Sequence, residues 1–294
     1  MILYKTKYYV SKEAIIGTGL ALGGLAGSVV TGIDYMKTAR NISEDKDNKE
    51  ISRLKNKLVE SFKKKNGENN IIEAPDYCNA AAISMDFFEN FIKKMETNKD
   101  FREKVEKEAE TNPEFKASLY LISHADLTRP CIVYDPRLFD PATMSHEIGH
   151  TEYYEIEENK DKNKFIKFTH KYPPHISDMD DLNGLITAPI LGGITGVVQG
   201  ISNGPGRLKN GLIMYSSIDA ILLMIRELAA SKRGLELLKE AGATEDDLKV
   251  FRKMLLSAAG SYFFNNLSII GLELVSAKTG SWVVNKLKKL IKRK

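Results

Sequence analysis

Asp140-Pro-Ala-Thr-Met-Ser-His-Glu-Ile-Gly-His150 is the stretch from which the rest of the chain is read. Asp140 is a good N-cap and Pro141 a good first helical residue, so a helix is expected to begin here. It is expected to continue through Ile148–Ile156, where Gly149 is the one breaker. Within it stands His146-Glu147-x-x-His150. On a helix, residues i and i+4 lie one above the other on a single face. Two imidazoles so placed can grip one Zn²⁺ ion, and Glu147 beside them can work on an activated water. The alternative is a solvated helix face carrying two unrelated histidines.

The chain has 294 residues, enough for one large domain or two small ones. Apolar residues make up 43% and charged residues 28%, the balance of a globular protein. A net charge of only +4, with no aromatic-plus-basic motif, argues against a nucleic-acid binder. Cys78 and Cys131 are too few and too far apart for a disulfide framework or a cysteine zinc site. They read as small, partly buried residues.

Several segments are apolar enough to meet lipid. Residues 14–33 carry no charge, about the length that spans a bilayer, with Gly19, Gly23 and Gly27 at four-residue spacing. Gly184–Gly206 is also uncharged, with Gly192, Gly196 and Gly200 at the same spacing. Gly211–Ile225 is apolar apart from Asp219. That pair reads as a helical hairpin in or on a membrane. Met254–Leu272 is a further uncharged stretch, and the tail beyond Trp282 is rich in lysine, suited to an anionic membrane surface.

The remainder is polar. Residues 37–116 are densely charged, with amphipathic stripes at Ile51, Leu54, Leu58, Val59 and Phe62, and at Phe88, Phe91, Ile92 and Met95 behind a cap at Ser84. Ser118–Ile122 and Cys131–Tyr134 read as short strands joined through Arg129-Pro130. A strand just ahead of the metal helix offers an edge for an extended peptide, or is a plain hairpin. Residues 157–183, with Pro173-Pro174, read as a loop. The expected organisation is an anchor helix over 1–36, a soluble helical region with short strands over 37–183 and a hydrophobic hairpin over 184–225. A helix bearing the third ligand and its successor follow over 226–253, then an apolar helix and basic tail over 254–294.

A hydrolytic zinc site takes three protein ligands and leaves one position open. The metzincin continuation is excluded, because Tyr153 and Ile156 stand where it needs glycine and histidine. His170 and His175 are possible third ligands, but they lie in a Pro-rich loop. Glu227 opens Glu227-Leu-Ala-Ala-Ser231, and Ser231, four residues on, shares its face and can hydrogen-bond a ligand from behind. An ordinary helix glutamate is the competing reading. Two crossings between His150 and Glu227 would return the chain to the side it left, so the three ligands can meet at one membrane face.

The set His146-Glu-Ile-Gly-His150, Glu227-Leu-Ala-Ala-Ser231, Leu235-Glu-Leu-Leu238 and Ala258-Ala-Gly-Ser-Tyr262 resembles, in order and spacing, the neutral zinc metallopeptidases of membranes known as the YugP-like group. The resemblance covers roughly 131–275. It departs at Thr151-Glu152-Tyr153, where the family has Ala-x-Gln, at Ser261, where it has threonine, and in the length and charge of residues 37–116. It implies a mainly α fold with a small β element, a zincin-like core and transmembrane helices. It also implies a multi-pass membrane location, Glu227 as third ligand, and peptide or protein substrates, membrane-embedded ones included. Glu147 is then the general base, and Tyr262, followed by Arg226 and His175, the candidate to stabilise an oxyanion. Two other classes fit the sequence: a membrane scaffold with a structural zinc site, and a membrane-remodelling protein.

Overall fold

The computed structural model describes residues 12–44, 49–74, 80–83, 85–136, 140–154, 163–171, 181–202 and 206–292. They are mostly helical, with one small sheet. The chain divides into two compact units. One comprises Met1–Gly32, Pro173–Met224 and Ala259–Lys294; the other comprises Ile33–Tyr172 and Ile225–Ala258.

The helices are α1 (Lys12–Glu44), α2 (Lys49–Asn66), α3 (Met85–Thr97), α4 (Lys99–Glu108), α5 (Pro113–His124), α6 (Pro141–Thr151), α7 (Lys164–Lys171), α8 (Asp181–Ser202), α9 (Arg207–Glu240) and α10 (Glu245–Ile291). The strands are β1 (Ile71–Glu73), β2 (Ala80–Ile83) and β3 (Cys131–Tyr134). In the sheet β3 is central, parallel to β1 and antiparallel to β2.

The second unit is built as amphipathic patterning dictates. Leu54, Leu58 and Phe62 recur at four-residue spacing on α2 and are buried. They join Ile132 and Tyr134 of β3, Met144 and Ile148 of α6, Leu237 and Leu238 of α9, and Phe251 and Met254 of α10 in one core. A smaller core gathers Ile83, Phe88, Ala117, Leu121 and Val133. Each fully buried large side chain contributes roughly 1.5–3 kcal/mol relative to exposure, so these cores fix β3 and α6 against the long helices.

Three expectations are corrected. Ser118–Ile122 is not a strand but part of α5. Asn112-Pro113 starts a helix there: the Asn112 side chain accepts from the Phe115 N–H at 3.4 Å, and Ala117 and Leu121, one turn apart, face the smaller core. β3 therefore pairs with β1 and β2. It is the centre of the sheet, and the edge near α6 belongs to β2. The stretch read as a loop contains α7 and the first turn of α8. The metal helix itself is shorter than expected and ends at Thr151, whose hydroxyl bonds the Ile148 carbonyl at 2.7 Å. Ser84, Cys78 and His175 lie outside the described residues.

The first unit has the opposite grain. Glycines let its helices approach backbone to backbone: a Cβ on Gly196 of α8 would stand 1.9 Å from the Ala277 carbonyl oxygen of α10. Lys288 of α10 donates to the carbonyls of Gly200 and Ile201, both at 2.8 Å, and so caps the C-terminal turn of α8. Meanwhile Ile15, Leu22, Val29, Ile190, Ile194 and Ile221 are exposed. Among the described residues, two helices are long and apolar enough to cross a membrane, α1 over Lys12–Ala39 and α10.

Candidate metal centre

The site is assembled within the second unit by α6 and α9. Asp140 caps α6 as the sequence predicts, its carboxylate accepting from the Thr143 N–H at 2.8 Å and the Thr143 hydroxyl at 2.6 Å. β3 ends at Tyr134, six residues before this cap, and delivers the chain to it. α9 then crosses α6 at very short range. A Cβ on Gly149 would stand 2.4 Å from the Ala230 carbonyl oxygen, and one on Gly234 2.9 Å from the His146 backbone nitrogen. Two glycines, one on each helix, thus allow Glu227 and Ser231 to reach the histidines.

Glu227 Oε2 lies 3.1 Å from His146 Nε2 and 3.4 Å from His150 Nε2, and the two Nε2 atoms are 3.1 Å apart. Tetrahedral coordination with bonds of about 2.0–2.2 Å sets ligand atoms about 3.3–3.6 Å from one another, so the three donors, at 3.1, 3.1 and 3.4 Å, stand within a few tenths of an ångström of one face of such a site. His150 and Glu227 are buried. These three residues form a group able to hold a metal ion.

The surrounding polar atoms orient the three. Ser231 Oγ is 3.1 Å from His146 Nδ1, as its position four residues after Glu227 suggested. Arg226 Nε donates to the other Glu227 oxygen at 3.2 Å, so Arg226 steadies the carboxylate. His170 is not a ligand: its Nε2 faces His150 Nδ1, at 3.0 Å. Burial raises the Glu227 carboxyl pKa, but the charges and hydrogen bonds of His150 and His146 outweigh it and hold the group well below the ordinary range. Burial lowers His146, and the Glu227 hydrogen bond with the Glu147 charge reverses that to a net rise. Burial pushes His170 down to about 3, with the charge of His150 adding to it, so its ring is neutral.

Glu147, in the same turn, points to the sheet. Its Oε2 accepts from the Ala82 N–H of β2 at 2.9 Å, and the Tyr154 hydroxyl donates to the Ala82 carbonyl at 3.3 Å. The edge strand and Tyr154 were missed from sequence. Ala80-Ala81-Ala82 carries no strand signal, and Tyr154 follows the helix end, where no periodicity marks it. Tyr262 belongs to the other unit, on α10, with 41% of its surface exposed. Compared with family models, curated proteins and solved structures, the chain matches none.

Proposed function

We propose that the protein is a membrane-anchored zinc metallopeptidase. One observation carries the reading: three donor atoms 3.1–3.4 Å apart, with a further carboxylate, Glu147, in the same helical turn. A purely structural ion has no use for a base beside it. Zinc, when bound by His146, His150 and Glu227, supplies a Lewis acid that lowers the pKa of water towards about 7 and polarises a carbonyl.

Glu147 accepts the proton of the attacking water and hands it to the leaving amine. Its Oε2 is anchored on Ala82, which leaves Oε1 to take the proton. The substrate on this reading is a peptide or protein bound close to β2, the strand whose Ala82 N–H and carbonyl are held by Glu147 and Tyr154. Tyr154, whose hydroxyl lies at the Ala82 carbonyl beside the Glu147 anchor, joins Tyr262 as a candidate donor to the oxyanion. The apolar exterior of the first unit, with glycine contacts and Glu273 inside, supports a lipid setting. On this reading α8 and the first half of α9 are a membrane hairpin, the chain is multi-pass, and the ligands meet at one membrane face.

The test is zinc stoichiometry and peptide cleavage by the detergent-purified protein. Glu227→Ala and His150→Ala are expected to lose zinc, and Glu147→Gln to keep zinc and lose cleavage. Unchanged zinc in Glu227→Ala, or normal cleavage by Glu147→Gln, overturns the proposal.

A further inference from the structure

The three ligands and Glu147 leave two histidines of the second unit without a role, His124 and His170, and of these His170 lies against a ligand, His150. We infer that His170 is a positioning residue, which fixes the tautomer of His150 by accepting its Nδ1 proton in a hydrogen bond. This rests on the reading of His146, His150 and Glu227 as a metal centre.

The polarity of the chain of contacts follows from its far end. A carbonyl oxygen only accepts, so His170 Nδ1, 2.9 Å from the Ile166 carbonyl one turn back on α7, carries a proton. A neutral imidazole has one N–H, which leaves a lone pair on His170 Nε2. That lone pair faces His150 Nδ1 at 3.0 Å, so His150 must be the donor there. In neutral His150, the form a cation binds, Nε2 is then unprotonated, and it is the atom that faces His146 and Glu227. The form of His150 that can bind a cation is thus dictated by a carbonyl two hydrogen bonds away.

His146 is held differently. Its Nδ1 meets the Ser231 hydroxyl, which donates or accepts equally well, so Ser231 permits the ligand form without imposing it. His170 is the stricter device. Its ring is also packed, with centroids 5.0 Å from Tyr153 and 6.3 Å from Tyr154, which restrains the acceptor in place.

Two amide substitutions separate acceptor position from mere polarity. In His170→Gln the side-chain oxygen reaches about as far as Nε2; in His170→Asn it stops near the place of Nδ1. Zinc affinity is measured by chelator competition, beside the visible absorption of the cobalt-loaded protein. Loss of such an outer hydrogen bond weakens metal binding by about 10–100-fold, which is expected for His170→Asn with an altered cobalt band, while His170→Gln stays within about threefold and keeps the band. Wild-type affinity in both variants, or equal weakening in both, overturns the role of His170 and leaves the metal centre standing. A wild-type protein that binds neither zinc nor cobalt removes the metal reading itself, and this inference with it. Should His170→Asn fail to fold, His170→Gln decides alone: wild-type affinity supports the inference, and a loss of tenfold or more overturns it.

Discussion

Gly149 of α6 and Ala230 of α9 meet backbone to backbone, with no room for a methyl group between them: a Cβ on Gly149 would stand 2.4 Å from the Ala230 carbonyl oxygen. The glycine before the second histidine is therefore required by packing, and through packing by the site. Gly149→Ala must push α9 outward, at a cost of about 1–3 kcal/mol. Glu227 moves with α9, so the variant is expected to unfold at lower temperature and to lose zinc by more than tenfold. Calorimetry and zinc titration of the same preparation check both. An unchanged affinity would mean that the helix crossing does not set the ligand distance.

The start of α6 was readable because Asp140-Pro141 is an unambiguous helix opening, and four residues of spacing placed two histidines on one face. Asn112-Pro113 uses the same grammar, yet the β-rich look of Ser118–Ile122 masks it until Ala117 and Leu121 are seen facing one core. Glu227 and Ser231 were legible as a pair, because their spacing puts both on one face of a helix. Their meeting with α6, eighty residues away in sequence, rests on Gly149 and Gly234. Ala82, Tyr154 and the contact of His170 with His150 were not legible. Each is a matter of distance in space between segments, which no local pattern reports.

Glu152, the residue that follows the last turn of α6, is structurally occupied. Arg233 of α9 donates to it twice, Nε to Oε2 at 2.9 Å and Nη2 to Oε1 at 3.3 Å, and Lys65 stands 3.5 Å away. Glu152 is buried and Arg233 nearly so. Removing Arg233 leaves the buried Glu152 with Lys65 at 3.5 Å, a loss on the order of 3 kcal/mol, whereas removing Glu152 leaves Arg233 its pairs with Glu236 and Glu240 and costs less. Arg233→Ala and Glu152→Ala are each expected to lower the denaturant midpoint, and the double variant to lose less than their sum. Additive losses would show that the two side chains act separately.

In the first unit, Gly196 and Gly193 make a matched pair. A Cβ on Gly196 would stand 1.9 Å from the Ala277 carbonyl oxygen, whereas one on Gly193 meets nothing within 4 Å. Gly196→Ala is expected to separate α8 from α10 and to reduce thermal stability in detergent by several degrees. Gly193→Ala is expected to hold or gain about 0.5–1 kcal/mol, the usual return for replacing a helical glycine. Equal behaviour of the two would refute the close contact.

Cys131 begins β3 and is wholly buried, in contact with the Asn70 side chain. Burial pushes its thiol up to about 12, only partly opposed by the Asn70 hydrogen bond. The folded chain therefore keeps a proton that the unfolded chain releases near its ordinary pKa of about 8.5. Above that point the unfolded state binds fewer protons than the folded one, so stability falls as pH rises from about 9 towards 12. Near pH 8 the thiolate, the reactive form, is scarce and shielded in the folded protein. Alkylation at pH 8, mapped by peptide mass, is expected to label Cys131 only after denaturation, and Cys131→Ala is expected to flatten the loss of stability on the alkaline side. Rapid labelling of Cys131 in the native protein would show that β3 opens far more readily than its burial implies.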